Sequence, residues 1–204
     1  MNAIWFYFVT GLLLLQFGDV VRATELKNGS RIDVARYTSD GQLIYPDGVE
    51  NWVVLGASLG MGYNEQDFDP KSPGSFVLVA IEPQAYAYFK KFGRFADGSL
   101  FTRSSYPAIN RLSTNRSGFV MGEHDATEIH IIDSKRFKDG FNFAIYSGTQ
   151  KTSAILPDGN GCVSCHKANG AYQNVFAQFY PTIRHQIPPA ALAVAMKKGD
   201  EKLE

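Results

Sequence analysis

Two cysteines three positions apart, with a histidine directly after the second, constrain this chain more than any other stretch: Cys162-Val-Ser-Cys165-His166. The spacing is that of a c-type haem attachment site. Each thiol adds across one vinyl group of the porphyrin, and the following imidazole then lies under the iron as its axial ligand. On this reading Cys162 and Cys165 anchor one haem c and His166 is the metal ligand. Other uses of the motif are weaker. Structural zinc wants four ligands at recognisable spacing, yet the chain has no further Cys, and His124, His130 and His185 are not paired in zinc-finger fashion. A thioredoxin-like pair opens a helix within a βαβ unit, whereas this motif follows the loop Leu156-Pro-Asp-Gly-Asn-Gly161. A plain disulfide stays open to any exported Cys pair.

Export is expected from the first residues. Ile4 to Phe17 is an apolar run broken only by Thr10, Gly11 and Gln16, and Val21-Arg22-Ala23 offers small residues for cleavage after Ala23. The run is short for a membrane-spanning helix. Residues 1–23 therefore read as a signal peptide and the mature protein as periplasmic, the side of the membrane on which bacterial c-type haem is attached. Of the 20 basic and 20 acidic residues, cleavage removes only Arg22 and Asp19, leaving 19 of each. Balanced charge argues against a nucleic-acid or membrane-surface partner. A mature chain of this length fits a single domain that buries roughly 70% of its unfolded surface. The tail from Lys197 onward is charged and reads as frayed.

Along the chain, residues 24–42 are polar and form an arm with room for one short helix. Strands are expected over Trp52–Leu59, Ser75–Glu82, Ser99–Ser105, Gly118–Glu123, Thr127–Ile132 and Phe141–Tyr146, with a long polar loop from Gly60 to Gly74. Pro83 is a favoured first helical residue, and Ala85, Tyr88, Phe89 and Phe92 follow at helical spacing before Gly93. Tyr172, Val175, Phe176, Phe179 and Tyr180 repeat the same period, which predicts a helix ended by Pro181. Pro188-Pro189 opens a short Ala-rich helix to Met196. Strands joined by short polar turns favour antiparallel pairing. The fold class is α+β, an antiparallel β-sheet with flanking helices, in one domain over 43–187 and a C-terminal helix and tail over 188–204.

Several stretches, in order, resemble the cytochrome P-460 family, which includes the cytochromes c-prime-beta: Tyr45-Pro46 with Asn51-Trp52, the helix running from Tyr86 to Asp97-Gly98, Gly118-Phe-Val-Met-Gly122, Asp133-Ser-Lys-Arg-Phe137, the motif Cys162 to Lys167, and Val175-Phe-Ala-Gln-Phe-Tyr-Pro181. The resemblance implies a homodimer, with one high-spin haem held by a histidine and open on its distal side. It implies oxidation of hydroxylamine with nitric oxide as intermediate or product, or simple binding of nitric oxide, and a redox partner such as a small cytochrome c. In the family's name-giving members a lysine on the strand after the Asp-Gly turn is cross-linked to the porphyrin. Here that position falls on Arg103, a poor nucleophile because guanidinium stays protonated. Arg103 is then expected to donate hydrogen bonds to a haem-bound ligand or a propionate, or to assist peroxidase-like chemistry. Glu128 matches the family's distal carboxylate and becomes a candidate proton relay. From the residues alone it would be dull, because Glu128 and His130 share one face of Thr127-Glu-Ile-His-Ile131 and a solvated face is the default. His124 and His130 read as structural or surface residues. Phe76, Tyr86, Phe101 and Phe143 are eligible pocket aromatics. A plain electron carrier would need a sixth ligand such as Met61, Met121 or Met196.

Overall fold

The computed structural model describes residues 26–62 and 69–200, without the side chains of 197–200. The expected signal peptide, the middle of the Gly60–Gly74 loop and the last four residues lie outside the described residues. No helix among the described residues is long and apolar enough to cross a membrane.

The strands are β1 (Leu43–Ile44), β2 (Val53–Leu59), β3 (Ser75–Ile81), β4 (Leu100–Ile109), β5 (Val120–Met121), β6 (Ala126–Ile132), β7 (Phe141–Ser147) and β8 (Thr152–Ser153). The six strands expected from the sequence form, β4 extended at its end and β5 cut to two residues, and two short strands that were not expected, β1 and β8, join them. The main sheet has the order β2-β3-β4-β6-β7, with β5 on the far half of β4, and every pairing is antiparallel. β1 pairs with β8 in a small second sheet. Helix α1 (Pro83–Phe92) follows β3: the Glu82 side chain accepts a hydrogen bond from the Ala85 N–H, and Gly93 closes the other end in the left-handed conformation. The chain is thus an α+β domain built on an antiparallel sheet.

Both faces of the sheet are covered. One packs on Phe89, Val163 and Ile183 from the helices and on Phe95 from the connection after α1, and the other on Leu43, Trp52 and Phe137. This corrects the expectation of a solvated face for His130, which is 6% exposed, while the Glu128 side chain stays 37% exposed. The cover comes from helix α2 (Gly161–Asn169), which reaches β7 in space.

The Cys162-Val-Ser-Cys165-His166 motif follows the loop at 157–160, as expected, but lies inside a helix, α2, that was not expected. Asn160 explains the helix start. Its Oδ1 accepts from the Val163 N–H at 3.0 Å, while its Nδ2 donates to Asn142 Oδ1 on β7 at 3.0 Å. One side chain caps the helix and docks it on the sheet. The strands around it are antiparallel, so the βαβ setting of a thioredoxin-like pair is missing.

The helix expected over 172–180 does not form. Gln173 and Asn174 have φ of 45° and 60°, left-handed values that break a helix. The segment is a tight turn, then a 3-10 turn at Ala177–Phe179 and helix α3 (Pro181–Arg184), which Pro181 opens instead of ending a helix before it. The turn is pinned to the end of α1: Gln173 Oε1 accepts from the Phe95 N–H at 2.8 Å, and the Tyr172 hydroxyl donates to the Gly93 carbonyl at 2.8 Å. The Ala-rich C-terminal helix forms as α4 (Pro189–Asp200).

The described part of the arm, residues 26–42, contains no helix; it runs extended over the core and buries Ile32. There it crosses the Asp97-Gly98 turn, where the Ile32 N–H donates to the Asp97 carbonyl at 2.8 Å.

Candidate functional site

Antiparallel pairing turns the sheet into rows of side chains. On the face covered by α2, one row reads Ile81, Phe101, His130, Phe143, and the next, two residues along each strand, reads Val79, Arg103, Glu128, Ile145. His166 meets the first row. Its ring centre lies 4.8 Å from that of Phe143, 5.0 Å from His130 and 4.4 Å from Phe176. The second row brings the two expected distal residues together, with Arg103 Nη1 donating to Glu128 Oε1 at 2.9 Å. About a third of each side chain stays exposed, 32% and 37%, so the ion pair stands at the mouth of the site and not in its core.

A cleft of about 680 Å³, counting the solvent at its mouth, joins these groups. Its walls include Val77, Val79, Phe101, Phe176 and Phe179, with Arg103, Glu128, His130 and His166 as its polar members. Of the eligible aromatics, Phe101 lines the cleft and Phe143 backs His166. Phe76 and Tyr86 are not among its walls. Met61 lines the cleft, whereas Met121 and Met196 are exposed elsewhere, at 40% and 54%.

The His166 ring is held by one of its two nitrogens. Its Nδ1 lies 2.7 Å from the Asn174 carbonyl, and facing an acceptor that nitrogen must carry the proton. Nε2 is left with its lone pair for a metal. Burial pushes His166 below the ordinary histidine range, against the opposite pull of the Asn174 carbonyl, which keeps the imidazole neutral. Sequence reasoning missed Asn174, because it acts through its backbone and any residue tolerating the left-handed turn would serve.

Cys162 and Cys165 are free thiols, so the disulfide alternative is not realised. Burial first, and then the negative charge of Glu128, push the Cys162 thiol up, with Arg103 partly offsetting them. A redox nucleophile needs the opposite shift. His130 was also missed. Burial, with His166 beside it, holds it well below the usual histidine range, and its Nε2 is buried without a partner among the described residues. The signal was present in the alternation of β6, which puts His130 on the face of Glu128.

The family model for cytochrome P-460 matches residues 46–177. The chain belongs to the cytochrome P-460 family. No curated protein matches the chain. Membership makes this P-460 protein a haem-binding cytochrome, and its residues fit the group: two free thiols on one helix, an imidazole whose Nε2 is left available, and an apolar cleft holding an unpartnered buried nitrogen. His124 stands on the other side of the sheet, where its Nε2 bonds the Thr127 hydroxyl at 2.8 Å beside a separate cavity.

Proposed function

We propose that this protein is an exported, periplasmic c-type cytochrome that carries one haem on Cys162 and Cys165, is ligated by His166, and oxidises hydroxylamine while handling nitric oxide. The observation that carries the reading is the Arg103–Glu128 ion pair in the same cleft as His166. The iron supplies the electron sink and the coordination position for the nitrogen substrate. Taking hydroxylamine to nitric oxide releases protons and electrons in equal number, so the site needs a base as well as an electron outlet. Glu128 is that base. Arg103 holds its carboxylate in place and offers further N–H donors to the substrate oxygen. The exposure of the pair gives protons a way to solvent. Val77, Val79, Phe101 and Phe176 supply the apolar wall behind the pair. Electrons leave to an external acceptor such as a small cytochrome c, and the protein works as a homodimer.

A second reading is a non-catalytic cytochrome c-prime-beta that binds nitric oxide or a related small ligand, with peroxidase-like activity as a side reaction. The identity of residue 103 favours it, because an arginine committed to Glu128 forms no cross-link to the porphyrin. The ferrous optical spectrum separates the two. A strongly red-shifted Soret band indicates a modified haem and the oxidase; an ordinary high-spin c-type spectrum favours the binding protein. On the oxidase reading, Glu128→Gln slows hydroxylamine-dependent reduction of an added cytochrome c by about 10²-fold or more and leaves nitric oxide binding intact. Equal rates in the two proteins would remove the proton relay.

A further inference from the structure

His130 has no part in the function described above, and its surroundings explain its nitrogen poorly. The side chain is 6% exposed and ringed by Phe101, Phe141 and Phe143, with ring centres 5.5, 5.1 and 4.7 Å away. A phenyl group would fill that hole without burying a polar atom. An imidazole places Nε2 there with no partner from the described chain, a desolvation penalty that another interaction has to offset. His130 lines the cleft together with His166, the imidazole with which it is in ring contact.

The ring contacts set His130 directly beside His166. His130 and His166 lie 5.0 Å apart, centre to centre, at an interplanar angle of 80°. A macrocycle between two rings would need about 7 Å, two van der Waals contacts of about 3.5 Å each. At 5.0 Å the two imidazoles leave no room for a macrocycle between them. His130 stands against His166 in an edge-to-face arrangement that aligns one ring's polar edge with the other's π face. In so apolar a setting the partial charges of an imidazole are little screened.

We propose that His130 is a positioning residue for the axial ligand, fixing the orientation of the His166 ring and tuning its electron donation through the unpartnered nitrogen. This rests on the reading of His166 as the haem ligand. A propionate is a poorer partner for this nitrogen, because three phenyl rings are an unfavourable setting for a carboxylate, and Arg103 at the mouth is better suited to one.

The test compares the haem-loaded wild type with His130→Phe and His130→Gln, using the ferrous iron–imidazole stretching band in resonance Raman spectra and the reduction potential. His130→Phe keeps the ring and the packing but loses the nitrogen; it is expected to retain haem while shifting both band and potential. His130→Gln returns an amide to about the position of Nε2 and is expected to restore most of both. If His130→Phe fails to load haem, His130→Leu serves the same comparison with Gln. An apolar variant that matches the wild type in both readouts overturns the proposal, as does a Gln variant that departs as far as the apolar one. A wild type with no iron–imidazole band would remove His166 as ligand and the proposal with it, a failure distinct from a band that is present and unmoved.

Discussion

Gly170 offers a direct test of what holds the His166 imidazole. It ends α2 in an extended conformation, φ −65° and ψ 124°, that any residue adopts without strain. The obstacle to a side chain is space alone. A Cβ at this position would lie 2.6 Å from the Asn174 carbonyl carbon and 2.7 Å from the His166 carbonyl oxygen, both backbone atoms. To reach an ordinary contact of about 3.4 Å, the Asn174 carbonyl must retreat by about 0.8 Å. That would stretch the 2.7 Å hydrogen bond from His166 Nδ1 to about 3.5 Å, the limit of such a bond. Overpacking of this kind costs about 1–3 kcal/mol, and the lost hydrogen bond adds about 1 kcal/mol. For a domain of this size the sum lowers Tm by on the order of 10 °C. The haem-loaded Gly170→Ala protein should therefore melt earlier and show a shifted iron–imidazole stretching band, because the Nδ1–H partner governs how strongly the ring donates to a metal. A Gly170→Ala protein with the wild-type band and a Tm within about 2 °C of wild type would show that the turn at 173–174 yields freely and does not hold the ligand.

Other substitutions test the frame of the site. Gly98→Ala places a Cβ 1.7 Å from the Ile32 carbonyl oxygen at a residue with φ 85°, and should cost more than about 3 kcal/mol in thermal or urea unfolding; Gly159→Ala, with φ 69° and open space around it, should cost only about 1–2 kcal/mol. Asp133 receives a two-pronged bond from Arg31, at 2.9 and 2.5 Å, with its own side chain 3% exposed. That bond, more than any other cause, holds its carboxyl below the ordinary value of 3.8. The stabilisation is present above that pH and is lost as pH falls through the lowered native value. Asp133→Asn should remove about 2 kcal/mol at neutral pH and flatten the acid limb of a stability–pH curve below 3.8; an unchanged acid limb would mean that the pair does not tie the arm to the sheet. The buried Tyr146 hydroxyl donates to the Leu43 carbonyl at 2.7 Å, so Tyr146→Phe should cost about 1–2 kcal/mol by urea unfolding, and no loss would mean that the carbonyl finds water instead.

The strands were legible because each carries its own apolar residues, and α1 because Pro83, its stripe and Gly93 agree with one another. The helix that carries the Cys162–His166 motif was not legible: Asn160 caps α2 with Asn142 of β7 beside it, a contact between strand and helix that no local pattern contains. The stripe from Tyr172 to Tyr180 misled for a related reason. Val175 and Phe176 are buried as a helix would bury them, but a tight turn and a 3-10 turn serve the same end, and the left-handed pair at 173–174 leaves little trace in residue type. On β6 the alternation was read correctly and its meaning wrongly. A polar residue every second position marks a solvated face only if nothing covers it, and the cover arrives more than twenty residues later in the chain.

The register of β4 against β6 decides whether the site exists. Arg103, Glu128 and His130 share a face because Arg103 pairs with Glu128 and Phe101 with His130; a slip by one residue would send one strand's contribution through to the opposite core. The polar side chains themselves fix this weakly, since a half-exposed ion pair contributes little. The start of the ladder fixes it strongly. The Gly98 N–H donates to the Ile132 carbonyl at 2.6 Å and the Ile132 N–H to the Ser99 carbonyl at 3.0 Å, so the Asp97-Gly98 turn is bonded to the far end of β6 before β4 begins. Ile32 of the arm then closes over that turn, its carbonyl filling the space that any side chain at residue 98 would need. A segment that does not line the cleft thus helps to hold the pairing that places Glu128 beside Arg103. Substitutions at Gly98 should accordingly lower haem retention and stability together, whereas substitutions at Glu128 should separate turnover from both.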